Sequence, residues 1–280
     1  EYRRPIEKKD DEDNAIIDEL RQLIEPQVLR RMKHDVAELP AKHEINDCKN
    51  IEISTLQRTL YKQVSNDYRS LSEQGHKGVM LKALHDMRMI CAHPLNFQEK
   101  ATIKDSPKAE WLINTLETIK QKNEKVIIFT EFRAIQVFLK RLLLERFGLN
   151  VTTVNGDSNT NSRVGLTRQG IIDKFQETNG FNVIILSTVA VGFGVNIQKA
   201  NHVIHYTRSW NPAKEDQATD RAYRIGQDKE VYVYYPSIAA DDFETFEIKL
   251  DKLLSSKRSL ADDMLKPNVE LTQELIQSIY

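Results

Sequence analysis

Five short apolar runs restrict the fold of this chain more than anything else in it: Val126-Ile127-Ile128-Phe129, Val151-Thr152-Thr153-Val154, Val183-Ile184-Ile185-Leu186, His202-Val203-Ile204-His205-Tyr206 and Val231-Tyr232-Val233-Tyr234-Tyr235. Strands that are apolar at successive positions are buried on both faces, as in a parallel sheet covered by helices. Helical periodicity at 108–122, 132–146, 163–177 and 213–223 supplies the covering layers. The expected architecture is therefore α/β, a parallel sheet sandwiched by helices. Ligands of such sheets bind at the carboxyl ends of the strands, so the polar and glycine-bearing residues after each run are where chemistry is sought.

Either side of the sheet reads as helical. Residues 1–50 are highly charged, with a mixed run from Glu7 to Asp13, an amphipathic segment from Ala15 to Val36 interrupted by Pro26, and a basic cluster at Leu29-Arg30-Arg31-Met32-Lys33. From Thr55 to Ile90 the residues Leu56, Leu60, Val64, Leu71, Leu81, Leu84 and Met87 recur at mostly helical intervals, with turn signals at Gly75 and Gly78. A helical pair or bundle is expected there. Ser106 reads as an N-cap with Pro107 at the first helical position. After Asp241, apolar residues including Phe243, Phe246, Leu250 and Leu254 interleave with charges up to Leu265, and Pro267 stops that helix.

Composition narrows the function classes only a little. At 280 residues the chain can bury a true core. Its 40 basic and 41 acidic residues create no global positive field, so any nucleic-acid contact must come from a local patch. Cys48 and Cys91 are too few for a disulfide scaffold, and a reduced, intracellular setting is expected. No run reaches the roughly 18 apolar residues of a membrane span, and Glu1-Tyr2-Arg3-Arg4-Pro5 lacks the apolar centre of a signal peptide. The first residue is not Met, which fits a piece of a longer protein.

The densest cluster of candidate site residues runs from Gln217 to Gln227, where Arg221 and Arg224 stand three apart, after Trp210-Asn211-Pro212. In a helix they would share one face. A guanidinium is always charged and bidentate, which suits phosphate oxygens and the charge that develops on a transferring phosphoryl group. The plain alternative is a solvated basic helix. Asn211 reads as the N-cap and Pro212 as the first residue of that helix, which starts the arginines from a defined loop at the sheet's edge.

Ser187-Thr188 through Asn196, with Gly192 and Gly194, follows the run at 183–186. Its hydroxyls, glycines and amide can donate to phosphates, or it can be an ordinary strand-to-helix loop. Asn155-Gly156-Asp157 follows the run at 151–154 and reads either as a phosphate contact or as a turn. The local pairs His202-x-x-His205 and Cys91-x-His93 lack the further ligands of a tetrahedral zinc site, so no metal site is expected. No G-x-S-x-G nucleophile elbow is present.

Five motifs then fall into a familiar order. They are Leu29-Arg30-Arg31-Met32-Lys33-His34-Asp35-Val36 with Leu39-Pro40-Ala41-Lys42; Met87-Arg88-Met89-Ile90-Cys91-Ala92-His93-Pro94; Lys125 through Phe132; Ser187 through Asn196; and Gln217 through Gln227. Together they resemble the second motor lobe of the Swi/Snf family of DNA-dependent ATPases, within helicase superfamily two. The first resembles the segment leading out of the first lobe, the second an Arg-x-x-Cys-x-His-Pro element ending a helical insertion, and the last three motifs IV, V and VI. The resemblance implies an interlobe linker region over 1–50, a helical insertion over 51–97, a RecA-like helicase C-terminal lobe over 98–240, and a helical brace and tail over 241–280.

The resemblance also implies site roles. Arg221 and Arg224 fall on arginine-finger positions; Gln217, Gly192, Gly194 and Asn196 lie on the ATP side; Thr130, Asn155, Gly156, Ser187, Thr188 and Trp210 are DNA contacts. ATP and Mg²⁺ are the implied cofactors, the Mg²⁺ held mainly by a first lobe. Double-stranded DNA and an N-terminal RecA-like lobe are the implied partners, with protein–DNA complexes as substrate and no membrane. The implied place is the bacterial cytoplasm with its nucleoid, or the nucleus in a eukaryote.

Val191 departs from the family pattern of adjacent glycines, and Thr207 stands where an aspartate is common. The sequence contains neither a G-x-x-x-x-G-K-[ST] phosphate loop nor a D-E-x-H motif, both of which the resemblance places in a first lobe. The chain alone is therefore expected to be inactive. A rival is a non-catalytic RecA-like platform for DNA or a protein, which nothing requires to keep the Gln217, Arg221 and Arg224 set. A Rossmann-like nucleotide enzyme is disfavoured, since no G-x-G-x-x-G follows a first strand.

Overall fold

Val126, Ile127, Ile128 and Phe129 expose no surface at all, because their strand lies inside the sheet with a helical layer on each side. The computed structural model describes residues 39–73, 79–155, 167–188 and 194–263. In chain order its elements are β1 (Lys42–Ile45), β2 (Ile51–Glu52), α1 (Thr55–Glu73), α2 (Val79–Ala92), α3 (Pro107–Gln121), β3 (Lys125–Phe129), α4 (Arg133–Phe147) and β4 (Thr153–Val154). They continue with α5 (Arg168–Glu177), β5 (Asn182–Leu186), β6 (His202–His205), α6 (Pro212–Thr219), β7 (Val231–Tyr234), β8 (Ile238–Ala239) and α7 (Phe246–Asp263).

Six strands form one sheet in the order β1-β7-β6-β3-β5-β4, every pair parallel. Strand periodicity sends alternate residues of β3 to opposite layers. Val126 and Ile128 pack with Leu112 and Leu116 of α3 and with Leu139 and Leu142 of α4. Ile127 and Phe129 pack with Ile172 and Phe175 of α5 and with Ala218 of α6. Each fully buried side chain of this size stabilises the fold by roughly 1.5–3 kcal/mol. Five of the six strands are those expected from the apolar runs.

Local signals set the helix ends. Asn211 caps α6 by accepting from the Ala213 N–H at 2.9 Å, and Pro212 opens that helix. Pro107 likewise opens α3, but the Ser106 hydroxyl turns away from the cap and donates to the Ala92 carbonyl at 3.3 Å. Gly148, at φ +66°, ends α4, where an L side chain would be strained.

The helical pair is α1 and α2, and it packs with α7 into a third core around Tyr61, Leu84, Met87, Ile90, Phe246 and Leu250. The Phe246 N–H donates to the Tyr61 hydroxyl at 2.7 Å, and Gln57 Nε2 donates to the Ile90 carbonyl at 2.6 Å. Lys108 of α3 forms a wholly buried ion pair with Glu247 of α7, fixing this assembly to the sheet layers. Tyr206 adds a hydrogen bond to the Ala92 carbonyl at 2.9 Å.

Three features depart from the sequence expectations. The apolar-run criterion misses β1, which lies in the charged first segment and exposes Lys42 and Glu44 as an edge strand. The helix expected to reach residue 223 stops at Thr219, so Arg221 and Arg224 do not share a helical face. The last helix begins at Phe246 rather than after Asp241. The amphipathic segment at 15–36, its basic cluster, and the tail beyond Asp263 lie outside the described residues.

Candidate nucleotide and DNA interface

Parallel pairing brings the ends of β3, β4, β5 and β6 to one edge, and the first polar residues beyond them continue the ladder. The Thr130 N–H donates to the Leu186 carbonyl at 3.0 Å, Ser187 N–H to Val154 at 3.1 Å, and Thr207 N–H to Phe129 at 3.4 Å. The hydroxyls are linked as well. Thr207 donates to the Thr130 hydroxyl at 3.0 Å, and Thr188 donates to a Glu131 carboxylate oxygen at 2.5 Å. Asn155 is half-buried just past β4.

Two of the expected DNA contacts sit deeper than a surface contact requires. Thr130 is 0% exposed, a brace between strands, because its hydroxyl is taken by Thr207 and its carbonyl accepts from Gln136. The Trp210 ring packs edge-on against Phe246 at 5.2 Å with the Arg88 guanidinium over it, which makes it part of the third core. Ser187 and Thr188 are also mostly covered. Gly156 and Gly192 lie outside the described residues.

The arginine loop begins where α6 stops. The N–H groups of Arg221 and Ala222 reach back only three residues, to Ala218 and Thr219, so the chain tightens out of the helix. Arg221 is 8% exposed whereas Arg224 is open to solvent. Arg221 Nε is buried with no hydrogen-bond partner. Desolvation, and then the like charge of Arg224, lower the Arg221 pKa, with Asp220 opposing. The Arg221 carbonyl accepts from the Ile197 N–H at 2.9 Å, which brings exposed Gly194 and Asn196 close to the loop. Gly194 sits at φ +74° in open space, so its glycine answers a backbone need rather than crowding. Gln217 lies exposed on α6.

Two residues hold this loop: Gln227, the last residue of the segment marked in the sequence, and Arg208, which the sequence did not single out. Gln227 is buried, and its amide donates to the carbonyls of Gln198, Ala200 and Ala222 at 2.9, 3.0 and 3.1 Å. Arg208 is 2% exposed and grips Glu215 of α6 bidentately at 2.8 and 2.9 Å, while also pairing with Asp251 of α7. Arg258 of α7 reaches the same Glu215 at 3.0 Å. Burial raises the Glu215 pKa, but the Arg208 charge and its hydrogen bonds outweigh it and hold the carboxylate ionised. The sequence did not mark Arg208, because Asp251 and Arg258, which complete its ion network, come from the distant α7.

A covered parallel sheet with its polar loops gathered at one edge and an arginine loop leaving the helix after β6 defines a RecA-like helicase C-terminal lobe. Residues 107–226 match the helicase conserved C-terminal domain, and residues 1–96 match the SNF2-related domain. The chain belongs to the SNF2, or Swi/Snf, family of helicase-like ATPases. It is 51% identical to the Zorya protein ZorD of Escherichia coli, over 97% of this chain and 26% of that protein. It is 37% identical to YwqA of Bacillus subtilis, over 99% of this chain and 30% of that protein. The chain thus spans about a quarter to a third of these relatives' length. The SWI2/SNF2 ATPase core of Sulfolobus solfataricus, solved in complex with dsDNA, superposes with a TM-score of 0.64 at 31% identity, covering 93% of this chain and 54% of that one.

Proposed function

We propose that this chain is the second motor lobe of an ATP-dependent double-stranded DNA translocase that remodels protein–DNA complexes, and that it turns over ATP only with a first lobe. The observation that carries the reading is the arginine pair: Arg221 buried with an unpartnered Nε, and exposed Arg224 close enough to depress its pKa. Two adjacent cations, one of them short of an acceptor, fit a phosphoryl group. ATP bound between the lobes would supply the transferable phosphoryl, with Mg²⁺ neutralising its charge. In this reading the Mg²⁺ ligands come mainly from the nucleotide and the first lobe.

Within this scheme Arg224 meets the developing charge and Arg221 orients from behind it, while Gln227 fixes the loop that presents both. Gln217, Gly194 and Asn196, all exposed, are assigned to the nucleotide side. Thr188, Ser187 and Asn155 lie where a DNA backbone would cross the strand ends, with Trp210 supporting from below. That a Sulfolobus SWI2/SNF2 core of this fold was solved with dsDNA supports DNA as the ligand, though not these particular contacts. The lobe and its helical insertion and brace act as one motor half, at work on DNA in the bacterial cytoplasm.

The test uses the full-length protein. Arg224→Ala is expected to lower DNA-stimulated ATP hydrolysis by on the order of 10³ with DNA affinity unchanged, and the isolated chain to hydrolyse none. A normal stimulated rate in the variant sinks the finger assignment. Motor-like turnover by the isolated chain sinks the half-motor reading.

A further inference from the structure

Arg88 stands where three parts of the site meet, and the chemistry above does not use it. It belongs to α2, in the helical insertion, yet it is only 8% exposed. Its guanidinium lies over the rings of Phe132, Trp210 and Phe246, at 4.8, 5.2 and 5.9 Å from their centroids. Nη2 donates to the Arg208 carbonyl at 2.7 Å and stands 3.9 Å from a Glu131 carboxylate oxygen. A planar, weakly hydrated cation suits such a slot between rings better than an ammonium does.

The two polar contacts lead onward to different sites. On one side Glu131 accepts the Thr188 hydroxyl at 2.5 Å, and its own N–H donates to Thr207 at 3.4 Å. On the other side Arg208 holds Glu215 of α6, the helix that runs into Arg221. At 3.9 Å the Arg88–Glu131 pair is loose, whereas the Thr188–Glu131 bond is closed. If Thr188 turned its hydroxyl to a DNA phosphate, Glu131 would lose a donor and Arg88 would be the nearest cation to replace it. A shift of the guanidinium toward Glu131 draws on its bond to the Arg208 carbonyl, and so on the base of α6.

We propose that Arg88 is a positioning residue that couples DNA occupancy at Thr188 to the placement of the arginine loop, through Glu131 on one side and the Arg208 carbonyl on the other. The inference rests on the motor reading, and it assigns a role in coupling to a residue outside both binding surfaces.

Arg88→Met in the full-length protein keeps an unbranched side chain among the rings but removes the charge and the hydrogen bond. The ratio of DNA-stimulated to basal ATPase is expected to fall about tenfold, with basal rate and duplex Kd within about twofold of wild type. Arg88→Lys, which keeps a charge and a donor, is expected to recover part of the ratio. Should Arg88→Met lose its cooperative melting transition, Glu131→Gln carries the test. It keeps an acceptor for Thr188 but removes the charge facing Arg88, and a fall of about threefold in the ratio is expected.

An unchanged ratio in the folded Arg88→Met variant overturns the proposal. So does a parallel loss of basal rate, DNA affinity and ratio, the signature of a purely structural residue. If Glu131→Gln serves as the test, an unchanged ratio there overturns it equally. A wild-type protein without any DNA stimulation would instead overturn the motor reading, and this inference with it.

Discussion

Gln217 and Gln227 flank the arginines, and in the sequence they look equivalent. The fold separates them: Gln217 faces solvent, while Gln227 gives its amide to carbonyls at Gln198, Ala200 and Ala222. Gln227→Ala would leave those carbonyls short of a donor, costing about 2 kcal/mol in urea unfolding. Because the loop would relax, DNA-stimulated ATPase should fall in parallel with no change in duplex affinity. Gly226→Ala should act through the same loop, since Gly226 sits at φ +95° and an added Cβ would come within 3.1 Å of the Gln198 amide. The arginines were legible as residue types because charge and spacing are local properties. Whether Arg221 was buried or exposed was not, since that depends on where α6 stops.

Strands β3, β5, β6 and β7 were legible because a central parallel strand must be apolar on both faces. Strand β1 was hidden for the opposite reason: its residues Lys42, His43, Glu44 and Ile45 alternate as an edge strand does. Its register comes from β7, far along the chain. The junction of α6 with α7 was equally hidden. Arg208 and Glu215 are close in sequence, but Asp251 and Arg258 complete their ion network from α7. Removing one partner leaves an uncompensated buried charge, so Arg208→Ala should cost about 3–5 kcal/mol. Replacing Asp251, which is more exposed, should cost less, and chemical denaturation of the two variants measures the difference.

The whole lobe should lose stability in mild acid before its carboxylates titrate. His93 and His205 are buried and neutral, each lowered from 6.5 to about 4, first by desolvation and then by nearby arginines. Between those values the unfolded chain binds protons that the native state does not, so stability falls as pH falls from 7 to 5, by about 2 kcal/mol per histidine. Glu124 and Glu215 have lowered pKa values, so their contribution persists through this window and is lost only further down. Urea midpoints at pH 5 and 7 measure the slope, and His205→Gln should remove about 2 kcal/mol of the fall. DNA binding by the full-length protein should weaken steeply with salt while hardly responding to base sequence, as expected for phosphate contacts. Titrations of two unrelated duplexes across a salt series test this, and a strong preference for one duplex would count against backbone contact.

The pairing of Lys42 with Val231 also has a consequence in time. During synthesis β1 leaves the ribosome long before β7 exists, and at roughly 5–20 residues per second the wait is on the order of ten seconds or more. Among the described strands of this sheet, the one made earliest is therefore among the last to dock. A translational pause between His205 and Val231 would hold a half-built sheet with one flank open and its closing strand unengaged, the state in which a nascent chain is most prone to pair with a neighbour on the same message.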